Sequence, residues 1–253
     1  MGASPVKYGW LPDLPDPRDH AFSAALGPAV ELPERVDLRA AFPPAYSQGQ
    51  LGSCTAQAIG AAMAFHLRPR RGFKTWMPSR LFIYFNERFA EGTVRVDAGA
   101  QIRTGIKSVA KQGCPHERLW PYSDAVPGPF SKRPPRAVYD AAKERLVASY
   151  QRVPRTLRAM QACLAQGVPI VFGATVFESF ESADVARTGV VPMPTGRPLG
   201  GHAMVCVGYE GDRFLVRNSW GSAWGQRGYC TMPHAYLLNE GLSDDFWAVR
   251  AVV

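Results

Sequence analysis

The chain changes texture near its middle, and that change restricts the fold more than any other feature. In the first half, apolar residues recur at helical spacing over Cys54 to Leu67, Pro78 to Ala90 and Gly105 to Gln112. After the loop AVPGPFSKRPPR and one more helix-like run, AVYDAAKERL, the pattern becomes short apolar stretches divided by Gly and Pro. PIVFGATV, HAMVCVGY and RFLVRNSW read as strands. The first thirty or so residues are different again. LPDLPDPRD cannot continue as helix, because proline removes backbone donors and fixes φ, so residues 1–31 are expected to form an extended arm. A compact region opens at LPERVDLR, Leu32 to Arg39, and runs to the end. With 253 residues, 46% of them hydrophobic, the chain can bury one sizeable core or two lobes sharing an interface. The prediction is an α+β fold of two unlike lobes. A helical left lobe (roughly 48–135) faces a right lobe (roughly 140–253) of strands in a barrel or sandwich, with a cleft between them.

Composition removes several function classes. GVPIVFGATVF is typical of the longest apolar stretches and is too short to span a bilayer. The N-terminus lacks the apolar core of a secretory signal, and Val6 is not the Ser or Thr of a myristoylation signal. The sequence leaves the location open between the cytoplasm and export without a classical signal peptide. Five cysteines (Cys54, Cys114, Cys163, Cys206, Cys230) are odd in number, widely spaced and without a C-x-x-C pair, so reduced thiols are expected. Cys206 with Cys230 is the one pairing left open. The formal charge of +8 favours anionic surfaces. Its basic clusters, RPRRGFK and SKRPPR, are scattered and lack interleaved aromatics, so nucleic acid is not expected as a partner. Neither H-E-x-x-H, a cysteine quartet nor a Gly-rich phosphate loop occurs, and PHERLW has no second His. No metal or cofactor is therefore expected.

The chemistry centres on SQGQLGSCTAQA, Ser47 to Ala58. Ser53 is a candidate N-cap, which puts Cys54 in the first turn of a helix, where unpaired N–H groups and the helix dipole favour a thiolate. A lone cysteine is more often a core residue, so partners must decide. His202 follows paired glycines and opens a strand. The turn EGD then folds the next strand back, bringing Asn218 near the level of His202. An amide there can hold an imidazole in one tautomer, and Trp220 can cover that bond from water. The Cys54 backbone N–H and the Gln48 side chain supply a pair of donors for an oxyanion, since the glycine-rich stretch between them can fold back.

These segments resemble the papain (C1-type) family of cysteine peptidases. SQGQLGSCTA is similar to its Gln-Gly-x-x-Gly-Ser-Cys segment, GGHAMVCVGY to its histidine strand, RNSWGSAWGQRGY to its Asn-Ser-Trp-Gly segment, and LPERVDLR to the opening of its mature domain. His202 and Asn218 lie about 150 and about 160 residues beyond Cys54, against roughly 130–150 for this arrangement. The resemblance implies Cys54 as nucleophile, His202 as base and acid, Asn218 as orienter and Gln48 as oxyanion donor. It implies a papain-like cysteine endopeptidase working through a thioester acyl-enzyme, with thiolate and imidazolium at rest and a protein or peptide substrate. By the same resemblance Gly99 and Ala100 bind substrate backbone, Ile102 walls a side-chain pocket, and Gly201 and Trp220 border the substrate. There are departures. Leu51 stands where most relatives carry a cysteine whose partner falls near Asp97, and Thr55 replaces an aromatic residue. GWLPDLPDPRD, Gly9 to Asp19, resembles the N-terminal motif of a bacterial subgroup. The arm is too short for the family's helical inhibitory segment. It is expected to lie on the catalytic domain and partly cover the cleft, with Trp10 and Leu14 as candidate anchors and a disordered tail as the alternative. An acyl transferase or amidase would share the same catalytic residues, and an idle binding module would share the fold.

Overall fold

The computed structural model describes residues 8–22, 31–68 and 76–252. The outer parts of the arm (1–7 and 23–30) and most of the basic run RPRRGFK lie outside these residues.

A helix rich in alanine and glycine can be approached from all sides, and α1 (Cys54–Leu67) is used that way: every residue except His66 is buried. Gly60 shows the tolerance, since an added Cβ would meet Pro78 Cγ at 3.1 Å. Around α1 pack α2 (Arg80–Ala90) and α3 (Ile102–Gln112). The expected helices are present with shifted ends. Ser79 accepts a hydrogen bond from the Phe82 N–H (3.2 Å), so α2 starts after the predicted Pro78. α3 starts before the predicted Gly105. α4 (Arg136–Ala142) stops short of the predicted Leu146 because the chain there enters a strand.

The strands are β1 (Trp10–Leu11), β2 (Arg35–Asp37), β3 (Ala100–Gln101), β4 (Leu146–Arg152), β5 (Ile170–Phe177), β6 (Pro198–Glu210), β7 (Arg213–Arg217), β8 (Tyr229–Pro233) and β9 (Ser243–Val252). α5 (Leu157–Ala165), α6 (Ala183–Thr188) and α7 (His234–Leu238) fill the connections. Seven strands make one antiparallel sheet, in order β4-β9-β5-β6-β7-β8, with β2 added on β6. The α+β class is as expected. The sheet, however, is open rather than a closed barrel, since β4 and β8 end the order without pairing. The EGD turn makes the expected hairpin, with Glu210 opposite Arg213 and Gly211 at φ +58°. All five cysteines are free. Cys206 and Cys230 both face Val216 of β7 in register, one strand to either side of it. Two strand spacings, about 9.5 Å, are too far for a disulfide.

One apolar core contains most of α1 together with Ile102, Val171, Ala203, Val205, Trp247 and Val249, so helices and sheet share it. α1 lies on β6 and β9. That contact sets the first residue of α1 beside the strand that carries His202.

Candidate active site

Cys54 opens α1 and is fully buried. Ser53 occupies the N-cap position but does not cap: its hydroxyl is 2.6 Å from the Tyr122 hydroxyl and accepts from Gln57 Nε2 at 3.2 Å. The Cys54 sulfur faces the backbone N–H groups of Ala203, Gly9 and Thr55, which favour its thiolate. Burial opposes them and pushes the thiol up to about 12. Ala203 directly follows His202, so the strand bearing the imidazole runs beside the sulfur.

His202 is fully buried, and its Nε2 lies 2.8 Å from Asn218 Oδ1. The Ser219 N–H donates to that same oxygen at 2.7 Å, which fixes it as an acceptor and assigns the ring proton to Nε2. Nδ1 then carries a lone pair and has no hydrogen-bond partner. Burial lowers the His202 pKa to about 4, against the opposing effect of Asn218. Burial thus weighs against a charge on either group, pushing the thiol up and the imidazole down. Trp220 lies over the imidazole, ring centres 5.1 Å apart. Gln48 is held through Ser219: its N–H donates to Ser219 O (2.9 Å), and its Oε1 accepts from Ser219 Oγ (2.7 Å). Its Nε2 donates to Leu51 O at 2.9 Å, within its own loop.

Residues 8–22, the described part of the arm, lie against the site. Gly9 lies across the centre of the site, donating to Gly201 O (3.0 Å) and accepting from the Ala100 N–H (2.8 Å). β1 then continues parallel to β3, Trp10 opposite Ala100. There is no room for side chains on this path. A Cβ on Gly9 would lie 1.8 Å from Gly52 O, and one on Gly99, at φ +74°, would lie 2.1 Å from Gly9 O. Tyr8 sets its ring edge on His202, centroids 6.1 Å apart, and its hydroxyl bonds Glu181. The Trp10 ring fills a slot over Gly173, where an added Cβ would meet the ring at 1.9 Å, and its Nε1 donates to Asp245 Oδ2 at 3.0 Å. Of the two expected anchors only Trp10 is seated. Leu14 is 70% exposed, because the chain there is held instead by its carbonyl, which accepts from Arg103. Ile102 is fully buried in the core that also includes Trp10.

Beyond Trp10 the arm is held by carboxylates. Asp13 accepts from the Arg103 N–H (3.0 Å) and from Trp247 Nε1 (2.9 Å), and Asp19 pairs with Arg103 at 2.6 Å. Burial, with Asp245 close by, raises the Asp13 pKa to about 6. At the position where the resemblance implied a lost disulfide, Asp97 accepts from the Gly52 N–H (3.1 Å) and from Tyr84, whose hydroxyl also accepts from the Gly99 N–H (3.2 Å). The loop before Cys54 is thus tied to the Gly99 wall without a cysteine. Among the described residues, no cluster of three His, Cys, Asp or Glu could hold a metal, and no helix is long and apolar enough to cross a membrane.

Residues 32–243 match the family model for papain family cysteine proteases. The chain belongs to the papain family. It is a hydrolase of the cysteine peptidase class. A peptidase C1-like protein of Acanthamoeba polyphaga mimivirus is 46% identical over 81% of this chain and 69% of its own length. Papain of Carica papaya is 27% identical over 79% of the chain, which spans 54% of papain's full length. Among solved structures, xylellain, a cysteine protease from Xylella fastidiosa, superimposes with TM-score 0.89 at 38% identity, covering 100% of this chain and 99% of its own. Bromelain from Ananas comosus, at 20% identity and TM-score 0.68, shares the papain-like fold.

Sequence reasoning missed Asp245, Asp13 and Gly173 of this papain-family site. The spacing of Asp13, Asp16 and Asp19 at every third residue was a visible signal in the arm. Nothing local marked Asp245 or Gly173, which matter only because the arm reaches them.

Proposed function

We propose that this papain-family peptidase cleaves peptide bonds at Cys54, with His202 as base and acid, Asn218 as orienter and Gln48 with the Cys54 N–H as oxyanion donors. The observation that carries the reading is the unpaired, buried Nδ1 of His202, whose other nitrogen is committed to Asn218. A lone pair on that face can take the Cys54 proton when an acyl carbon is attacked. The sulfur then bonds the carbonyl carbon. The C–N bond breaks as His202 returns the proton to the leaving amine, and water, deprotonated by His202, hydrolyses the thioester. Gly99, Ala100, Gly201 and Trp220 would border the substrate backbone, the first three as they border Gly9 here, with Ile102 behind them.

The same reading divides the chain into an arm (1–31) and a catalytic domain (32–253), and makes the arm an intramolecular cover. Gly9 uses the backbone donor of Ala100 and acceptor of Gly201 that an extended peptide would need. Intact-mass labelling with a thiol-reactive peptidyl epoxide tests both parts. One adduct on the reduced protein, absent from Cys54→Ala, is expected, together with faster labelling when the arm is displaced. An adduct that persists in Cys54→Ala, or none after displacement, would overturn the assignment. His202→Ala is expected to lower peptide turnover by about 10²-fold or more, measured with an internally quenched peptide.

A further inference from the structure

The arm shows what chemistry its groove accepts. Next to Gly9 is the Trp10 slot, floored by Gly173 and closed by a carboxylate, Asp245, that accepts the indole N–H. A purely apolar side chain of the same size would leave that buried oxygen without its donor, a cost general to sites built around a hydrogen bond. Further from Cys54 the groove becomes cationic. Asp19 lies between Arg103, at 2.6 Å, and Arg152, at 3.7 Å, and Asp16 is 3.5 Å from Lys107. The Arg103 and Asp19 side chains are both more than nine-tenths buried. Among the described residues, the carboxylates that ion-pair with Arg103, Lys107 or Arg152 once the arm is removed are Asp244 and Asp245, which lie 3.1 and 3.0 Å from Arg152. Arg103 then has no carboxylate of its own. An unpaired cation beside a low-dielectric wall favours an incoming anion, and the chain's formal +8 charge acts in the same sense. Space is also available. A cavity of about 670 Å³ lies between Asp16 and Asp19 on one side and Arg152 and Arg155 on the other, so the groove can take bulkier residues than the arm's prolines.

We propose that the Arg103, Lys107 and Arg152 strip, with the Trp10 slot, is an extended substrate site for acidic peptide segments. A tryptophan-like side chain with an N–H donor fills the slot, and carboxylates occupy the places of Asp16 and Asp19. The inference rests on the reading of the groove as the peptide cleft and adds the substrate class. Asp13's place is left out of the acidic pattern: a carboxylate there accepts from the Arg103 N–H and Trp247 Nε1 but also lies close to Asp245.

The test uses the full chain carrying Gly9→Val, Trp10→Ala, Asp16→Asn and Asp19→Asn, which takes the arm out of the groove. Internally quenched peptides pair one tryptophan with two Asp or two Asn at the arm's spacing, each made in both orders along the chain. For one order, kcat/KM for the Asp peptide is expected to exceed that for the Asn peptide by about tenfold at low salt. The ratio should shrink at high salt and fall towards one in a chain also bearing Lys107→Gln and Arg152→Gln. Replacing the tryptophan with leucine should lower turnover of the Asp peptide. Equal turnover of Asp and Asn peptides in both orders overturns the inference while leaving the peptidase reading intact. If neither peptide is cut and Cys54 takes no epoxide, that reading fails by itself. Fluorescence anisotropy then decides the inference: tighter binding of a labelled Asp peptide supports it, and equal binding of the two peptides overturns it.

Discussion

At the scale of single residues, the site depends on atoms whose partners are fixed by the backbone. Ser219 is an example: its N–H holds Asn218 Oδ1, its carbonyl accepts the Gln48 N–H and its hydroxyl donates to Gln48 Oε1. One residue thus orients both amide side chains of the proposed site. Gly9 is another. Its added Cβ would meet a backbone oxygen at 1.8 Å, and Gly52 cannot yield because Asp97 holds its N–H. Overpacking of this kind costs about 1–3 kcal/mol. Gly9→Ala is therefore expected to shift the arm towards its undocked state by about tenfold and to speed epoxide labelling of Cys54 by a similar factor. An unchanged labelling rate would show that the arm does not control access to the sulfur. The motifs pointed to Cys54, His202, Asn218 and Gln48 as candidates, and the structure joins His202 to Asn218 and Gln48 to Ser219. The failure of Ser53 as a cap was not, because its competitor, Tyr122, is distant in the chain and meets it only through packing.

At the scale of elements, the arm behaves as a short strand followed by a charged strap. β1 adds two residues to β3, Asp13 and Asp19 engage Arg103, and the chain then pairs with the end of β4, where the Phe22 N–H donates to Arg152 O at 2.8 Å. Asp13 gives this strap a pH dependence. The groups facing it are Asp245, Arg103, Arg152 and Trp247. Its pKa is about 6 when docked, against an ordinary value of 3.8, so the docked arm holds the extra proton between those limits. Docking is favoured as pH falls through about 6, and loses that contribution as pH rises past it. Asp13→Asn imitates the protonated form. The ratio of wild-type to Asp13→Asn labelling rates is expected to be near one at about pH 4 and to rise several-fold by about pH 7; a flat ratio would remove Asp13 from the control. The extended arm was legible from its prolines. Its anchoring was not, because Leu14 looks like an anchor in sequence while the actual holds are a carbonyl and two carboxylates.

At the scale of the whole molecule, helices and sheet share one apolar cluster, and a second cluster, which includes Phe172, Phe214 and Phe246, lies with the sheet. Ile59 and Ile106 lie in the same apolar cluster as Val205, Trp247 and Val249, and α1 rests directly on β6 and β9. Neither part can lose the other without exposing that surface. Thermal unfolding followed by far-UV circular dichroism and by near-UV signals is expected to give one coincident transition, and two separated transitions would contradict a shared core. Because all five cysteines are free, reductant is expected to leave the midpoint unchanged. The change of texture along the chain revealed the two kinds of structure. The open sheet was hidden from it, since closure is decided by whether β4 and β8 meet, and strand patterns are alike in both cases. The two-residue pairing of β1 with β3 carries a further consequence. Because the occupant of the groove is tethered to the groove's owner, its local concentration is set by the tether, at the millimolar level of short linkers, and not by how much protein is present. If the arm is the cover proposed above, dilution is expected not to relieve the block. On that proposal, a competitor of comparable strength, a change in charge along the strap or a cut in the arm would open the groove, so onset of activity would report on the surroundings and not on abundance.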